Sequence, residues 1–261
     1  MIANEVLQAE VGRLLEVLYA KRFAALKKLT LTRVLAKNPY LYRALGIGDP
    51  SEFIMQLMVA FVSSSDETIF GNDFLEPLAI FSATHANQHS DPTRRVTVGA
   101  GAGQDIAIET AKSYLAISVK SSKNIFNSQS AKGQDSEFTA LRARLKKLNK
   151  QFRPIIGYGY GRKSARKVTD VEKLAGQVFW QLLTDEPDFY LRIAIAMESF
   201  AGQHGQEYKT AFEQRHRQLL REFMLHLVSP DGDIEWQKIV TFNSAETKPK
   251  RLKRDLSDSD S

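Results

Sequence analysis

The sequence predicts an α/β fold in which strands in the middle of the chain are flanked by helices before and after. Three observations predict it. Apolar residues recur at spacings of three and four before residue 82 and again over 171–228. Two short runs within 105–120 alternate with the period of a strand, and 154–161 alternates again and supplies a further strand for the same sheet. The chain has 261 residues and 43% hydrophobic content, enough for one large core or two small ones and too much for a disordered protein.

A formal charge of +6 points to an acidic partner, and nucleic acid is the commonest such partner. Cysteine is absent, which excludes a disulfide framework and a thiolate metal site and fits a reducing cytoplasm. No apolar run approaches the ~18 residues of a membrane span, and the N-terminus lacks a signal-peptide pattern. A cytoplasmic protein with no membrane contact is expected.

Taken in order, residues 4–29 place Val6, Leu7, Val11, Leu14, Leu15, Leu18, Leu26 and Leu29 on one helix face, with glutamates early and Lys27-Lys28 late. That face packs either on the protein's own core or on a two-fold mate. Asp49-Pro50 reads as an N-cap followed by proline at the first helical position, opening a helix through Phe53, Ile54, Leu57, Met58, Phe61 and Val62 that ends near Asp66 and Glu67. Asn72 caps a further short helix, with Pro77 in its first turns and Ala79, Ile80 and Phe81 facing inward. Residues 84–98 are polar. His85 and His89 stand four apart, but the glutamate of metalloprotease helices is missing and Asp91-Pro92 ends any helix, so the spacing does not define a metal site. Gly99 to Gly103 lacks a following Gly-Lys-Ser/Thr and is not a phosphate-binding P-loop; it reads as a flexible lead-in to the next strand.

The central hairpin carries the chemistry. In Asp105 to Glu109, Ile106 and Ile108 alternate with the others, so Asp105 and Glu109 share a face. Tyr114 to Lys120 is a second strand, and Thr110 to Ser113 is the turn between them. An antiparallel pair puts Asp105 roughly opposite Val119, with Ser118 and Lys120 pointing to one side and Val119 to the other. A carboxylate is thereby set beside an amine. Mg²⁺ takes oxygen ligands and keeps several waters, so Asp105, the carbonyl of Val119 and a substrate phosphate oxygen go far towards a site. Lys120 can orient or deprotonate an attacking water and offset charge on the phosphate. The plainer reading is an edge hairpin with a solvated Asp and Lys.

Beyond the hairpin, Lys123, Asn124 and Asn127 lie in a polar stretch suited to phosphate oxygens or base edges. Residues 136–150 form a basic amphipathic helix with Leu141, Leu145 and Leu148 on one face. From Leu141 to Lys167 there are ten basic residues and no acidic one, a balance that favours a polyanion. Inside that run the glycines at 157, 159 and 161 let another backbone come close, and Arg162, Lys163 and Arg166 line a groove for a nucleic-acid backbone. Over 171–228, breaks are expected near 185–187 and 202–205, and Leu183, Leu191, Ile193, Ile195, Phe212, Leu219, Leu220 and Leu227 supply core. Trp180 and Trp236 read as core anchors. Residues 246–261 have no apolar period and read as a disordered charged tail.

The order Asp105, turn, Ser118-Val119-Lys120 followed by Ser121-Ser122-Lys123-Asn124 resembles the active-site hairpin of PD-(D/E)XK nucleases. Lys37-Asn38-Pro39-Tyr40-Leu41-Tyr42-Arg43-Ala44, Ser63 to Gly71, Gly157 to Arg162 and Thr241-Phe242-Asn243-Ser244 resemble blocks of one group of type II restriction endonucleases, which cuts degenerate GGNCC-type sites. This resemblance covers roughly 35–245. It implies a mixed β-sheet flanked by α-helices over 35–245, preceded by a helical segment 1–34 that could dimerise and followed by the tail. It also implies Mg²⁺ as cofactor, double-stranded DNA as substrate, a homodimer cutting both strands of a near-palindrome, and a cognate methyltransferase encoded nearby.

One departure stands out: the superfamily has Asp or Glu two residues before the lysine, where this chain has Ser118. A second carboxylate must come from elsewhere. Glu67 and Glu109 are the candidates, and superfamily members that place a glutamate on a helix before the hairpin point to Glu67. Glu109 sits roughly 13 Å along the strand from Asp105. The expected catalytic set is therefore Asp105, Lys120, Glu67 and Glu109, with Asp105, Val119 and Glu67 on the metal. Two other functions use the same residues: a repair nuclease of the superfamily acting on DNA structure, and a DNA-binding protein that has lost catalysis through Ser118.

Overall fold

The structure, a computed structural model, describes residues 1–86, 91–101, 103–121, 128–146, 149–162 and 170–246. The chain begins with α1 (Asn4–Lys27), α2 (Leu31–Leu35), α3 (Pro39–Ala44) and α4 (Pro50–Phe70). A π-helical turn (Gly71–Leu75) joins α4 to α5 (Glu76–His85). There follow β1 (Arg95–Gly101), β2 (Gln104–Glu109), β3 (Ser113–Lys120), α6 (Ser128–Leu145), β4 (Gln151–Tyr158) and β5 (Glu172–Ala175). Three helices close the sequence: α7 (Gln177–Thr184), α8 (Phe189–Leu227) and α9 (Trp236–Ser244).

The strands form one sheet in the order β1-β2-β3-β4-β5. The first three are antiparallel neighbours, whereas β3, β4 and β5 run parallel, so the sheet is mixed as the resemblance implies. One face packs Ile106, Ile108, Leu115, Ile117 and Ile155 against Leu78, Ala79 and Ala83 of α5 and Phe179, Trp180 and Leu183 of α7. On the other, Ala116, Ile156 and Tyr158 meet Phe138 and Leu141 of α6. Coverage on both sides explains why β3 and β4 read as near-continuous apolar runs.

The chain divides into two units, Met1–Leu18 with Glu67–Gly202 and Tyr19–Asp66 with Gln203–Ser261. This division is discontinuous, unlike the successive segments 1–34, 35–245 and 246–261 read from the sequence. The first unit holds the sheet. The second is helical, with a core of Leu26, Leu29, Phe53, Ile54, Leu57, Met58, Leu219 and Phe223. Within it Asp66 receives Arg22 in a two-pronged pair at 2.9 and 2.7 Å, and that guanidinium lies 3.8 Å over the ring of Tyr208. The apolar face of α1 serves the protein's own cores: Leu7, Val11, Leu14, Leu15 and Leu18 in the first unit, Leu26 in the second.

Several elements differ from expectation. β1 occupies residues read as a polar connection; its Val96 and Val98 alternate, but an edge strand with one open side needs few apolar residues. β5 was hidden for the same reason. The helix opened by Asp49, whose carboxylate accepts the N–H of Glu52 at 2.7 Å, does not stop near Glu67 but runs on through the π turn to His85. By length and composition the run Pro50–His85 is apolar enough to cross a bilayer, yet Phe53, Ile54, Leu57 and Met58 fill one protein core and Phe74, Leu75, Leu78 and Ala79 the other. α6 begins at Ser128, eight residues before the expected start. α8 passes through Gly202 and Gly205 unbroken, because burial of Ile193, Ala196, Tyr208, Leu219 and Phe223 outweighs the roughly 1 kcal/mol that each glycine costs. On its surface Leu191 and Ile195 are 48% and 63% exposed rather than in the core. His89 and, of the tail 246–261, all but residue 246 lie outside the described residues.

Candidate active site

The hairpin fixes Asp105 beside the end of β3. Ladder pairing of Ile106 with Ile117, Ala107 with Ala116, Ile108 with Leu115 and Glu109 with Tyr114 puts Asp105 opposite Ser118, one residue short of the expected Val119. The ladder ends at Ile106, and the carboxylate of Asp105 takes over from it. Its Oδ2 accepts the N–H of Val119 at 2.7 Å and lies 3.4 Å from Ser118 Oγ. Because a residue's N–H and C=O leave a strand on the same side, the carbonyl of Val119 also faces the Asp105 edge. Lys120 ends β3, and its carbonyl accepts the N–H of Gly159 at 3.1 Å, which fixes its backbone from the opposite side. No hydrogen bond or ion pair from the described residues engages the Lys120 ammonium.

A further carboxylate, Glu76, not among the expected residues, feels the charges of this pair. Glu76 opens α5, and burial pushes its carboxyl above the ordinary range; the charges of Asp105 and Asp73 push in the same direction, while Lys120 pulls it back. Glu76 is therefore close enough to Asp105 and Lys120 for each to act on it. Close packing delivers it there. A Cβ at Gly71 would stand 3.2 Å from Ser121 Oγ, and one at Gly159 would stand 2.4 Å from Leu75, the neighbour of Glu76. A Cβ at Gly157 would stand 2.1 Å from the ring of Phe179. Gly157 and Gly159 thus admit side chains of α7 and the π turn, whereas at Gly161 another backbone does come close, since a Cβ at Gly176 would stand 2.8 Å from the Gly161 carbonyl oxygen. Trp180, a core anchor as expected, donates from Nε1 to the carbonyl of Gly159 at 2.8 Å and holds the same segment. π turns inserted in helices occur frequently at functional sites.

The other expected residues lie elsewhere. Glu67 is exposed on α4, nine residues and about 13 Å of helix rise before Glu76. Glu109 stands at the far end of β2 and is held by Lys150 Nζ at 2.6 Å, so it is not part of the Asp105 cluster. Arg162 is exposed just after Gly161, whose φ of +98° turns the chain. Lys123, Asn124, Asn127, Lys163 and Arg166 lie outside the described residues. His85 stacks on Phe81 at 4.2 Å. The basic run is less uncompensated than its sequence implies: Arg153 pairs with Glu172 at 2.8 Å, and Arg142 stands 3.8 Å from Asp170.

Among the described residues no three His, Asp or Glu side chains converge as a metal cage. Asp105 and the Val119 carbonyl present oxygens of the kind Mg²⁺ takes when it keeps most of its waters, and Glu76 is near enough for Asp105 and Lys120 to act on its carboxyl. The acidic pair Asp73 and Glu76, spaced by three before the hairpin, is the sequence signal for Glu76; the resemblance, through a glutamate on the preceding helix, pointed to Glu67 instead.

A mixed sheet covered by helices, with Asp105 and Lys120 at adjoining strand ends, is the arrangement of a PD-(D/E)XK nuclease core. No curated protein matches the chain. The family model described as type II restriction endonuclease EcoO109I matches residues 5–204, most of the sheet-bearing unit included. The chain belongs to the family of the type II restriction endonuclease EcoO109I.

Proposed function

We propose that this protein is a Mg²⁺-dependent, sequence-specific endonuclease that hydrolyses phosphodiester bonds in double-stranded DNA. The observation that carries the reading is the anchoring of Asp105 by neutral donors, with Lys120 and Glu76 beside it, inside a restriction endonuclease family. Asp105, Glu76 and the Val119 carbonyl would hold Mg²⁺, which supplies positive charge to the scissile phosphate. Glu76 takes the place expected of Glu67 and supplies the acid absent at Ser118. Lys120 orients the attacking water and can accept its proton; the water oxygen bonds to phosphorus as one P–O ester bond breaks, and the departing oxygen takes up a proton. Ser118 Oγ and the Val119 N–H hold Asp105 in place throughout.

A homodimer acting on a near-palindrome of the degenerate GGNCC kind accounts for one site per subunit cutting two strands. Such an enzyme works in the cytoplasm and is encoded beside a methyltransferase that protects the host. The test incubates the purified protein with plasmid DNA, with and without Mg²⁺, beside Asp105→Ala, Lys120→Ala and Glu76→Gln. Discrete Mg²⁺-dependent fragments, lost in Asp105→Ala and Lys120→Ala and formed more slowly in Glu76→Gln, support the reading, and their ends give the site. The serine at position 118 favours a second reading, a binding protein without catalysis, which predicts salt-sensitive DNA binding and no cutting with any metal.

A further inference from the structure

Gln104, directly before Asp105, is only 3% exposed, yet its side-chain nitrogen has no hydrogen-bond partner among the described residues. Its Oε1 accepts from the Tyr114 hydroxyl at 3.4 Å, so one end of the amide is used and the other is not. Buried donors without partners are rare in native folds and call for an explanation. The orphan faces a particular gap. Gly101 ends β1 with φ +151°, a conformation that favours glycine, and a Cβ there would stand 3.5 Å from Gln104 Nε2 and 3.7 Å from Arg144 Nη2. Arg144 reaches this point from α6, is exposed, and takes no hydrogen bond or ion pair from the described residues. Two donors thus converge on a notch left by a missing side chain. The hairpin around it is held to α6 by Gln134 Nε2, which donates to the carbonyl of Gly103 at 2.6 Å. Glu137 packs against Gly103, but it stands seven residues and about 10 Å of helix rise from Arg144.

We propose that the notch at Gly101 receives an oxygen of a DNA backbone phosphate adjoining the one cut at Asp105, held by Gln104 Nε2 and Arg144 Nη2. The inference rests on the nuclease reading above. Both groups aimed at the gap are donors, which matches the acceptor-only oxygens of a phosphate, and a guanidinium suits that anion in geometry as well as charge. A phosphate seated at this end of β2 fixes the register of the strand that passes Asp105. Contacts of this kind position DNA and carry no base information.

The experiment uses the full-length protein and a fluorescent duplex taken from a plasmid segment that the wild type cuts. Affinity without divalent metal is measured over a salt series, together with Mg²⁺-dependent KM, kcat and melting temperature, for wild type, Gln104→Met, Arg144→Ala and the distant control Lys112→Ala. Both notch variants should bind about tenfold more weakly, the size of one hydrogen bond to a charged group, with the loss in KM rather than kcat. Arg144→Ala should also lower the slope of log affinity against log salt by about one. Gln104→Met should melt close to wild type, because removing an unpaired buried donor offsets the loss of the long bond from Tyr114, and Lys112→Ala should match wild type. Wild-type affinity in either notch variant overturns the proposal, as does a Gln104→Met protein that loses affinity only together with stability. A wild type that cuts no DNA sinks the nuclease reading and this inference with it, whereas wild-type cutting with unaffected notch variants sinks this inference alone.

Discussion

The two ends of β2 carry the same chemistry and use it differently. Asp105 and Glu109 are four residues apart on one strand, so alternation puts both carboxylates on the same face. At the Glu109 end the charge is closed off by Lys150, whose ammonium bonds the carboxylate at 2.6 Å and the carbonyl of Thr110 at 2.7 Å. At the Asp105 end the partners are a backbone N–H and a hydroxyl, both neutral, while Lys120 stands nearby without an ion pair among the described residues. A carboxylate already paired with a cation has little to offer another cation. One fixed by neutral donors keeps its charge for a ligand, so the pairing, not the residue type, separates the closed end from the one open to a cation.

The widest separation of the two ends comes from deleting each carboxylate in turn. Asp105→Ala should lower the cleavage rate by about 10³-fold or more, since it removes the main anchor for the cation. Glu109→Ala should leave the rate within a factor of a few and change stability by less than about 1 kcal/mol, the value of a half-exposed ion pair. Initial rates on plasmid DNA and urea unfolding measure both, and equal losses of activity would erase the distinction. Next come the lysines: Lys120→Ala should cost about 10²- to 10⁴-fold in kcat, the usual share of a proton-handling group, while Lys150→Ala should act on stability alone.

Glu76 sharpens the comparison through pH. Its carboxyl is held above the ordinary range, chiefly by burial, so the fold favours the protonated form. That contribution is complete below the ordinary carboxylate pKa and is lost as pH rises through the raised value. Glu76→Gln keeps a neutral group there at every pH. The metal-free variant should therefore melt above wild type near about pH 7 and level with it near about pH 4, while its Mg²⁺-dependent cutting falls by about 10- to 100-fold. Melting curves at the two pH values decide the stability half, and a variant that melts lower at neutral pH would contradict it. The smallest effect concerns delivery of the helix to the sheet. Gly157→Ala places a Cβ 2.1 Å from Phe179, and the overpacking should cost about 1–3 kcal/mol, read as a lower melting temperature with kcat reduced less than in Glu76→Gln.

Local pattern was enough for much of the site. The period-two alternation of Asp105 to Glu109 and of Tyr114 to Lys120 revealed the hairpin, since strand faces and short turns are set by neighbouring residues. The capping of α4 by Asp49 and the burial of Trp180 were legible for the same reason. β1 and β5 escaped because edge strands of a covered sheet carry few apolar residues, and their pairing partners supply what local pattern does not. The exact register escaped too: a shift of one residue changes Val119 from the partner of Asp105 into the donor that fixes it.

By itself the sequence determined a mixed α/β chain with an aspartate and a lysine at adjoining strand ends, because strand periodicity and turn chemistry act over a few residues. Tertiary structure alone decided which other acid joins them. Glu76 arrives through a π turn packed against Ser121 and through Leu75 seated where Gly159 has no side chain, contacts that span 50 to 84 residues of chain. It also decided that Glu109 is taken up by Lys150 and that Gln104 is left with a donor unpaired among the described residues, since the charge and hydrogen-bond balance of a group depends on what folding brings to it.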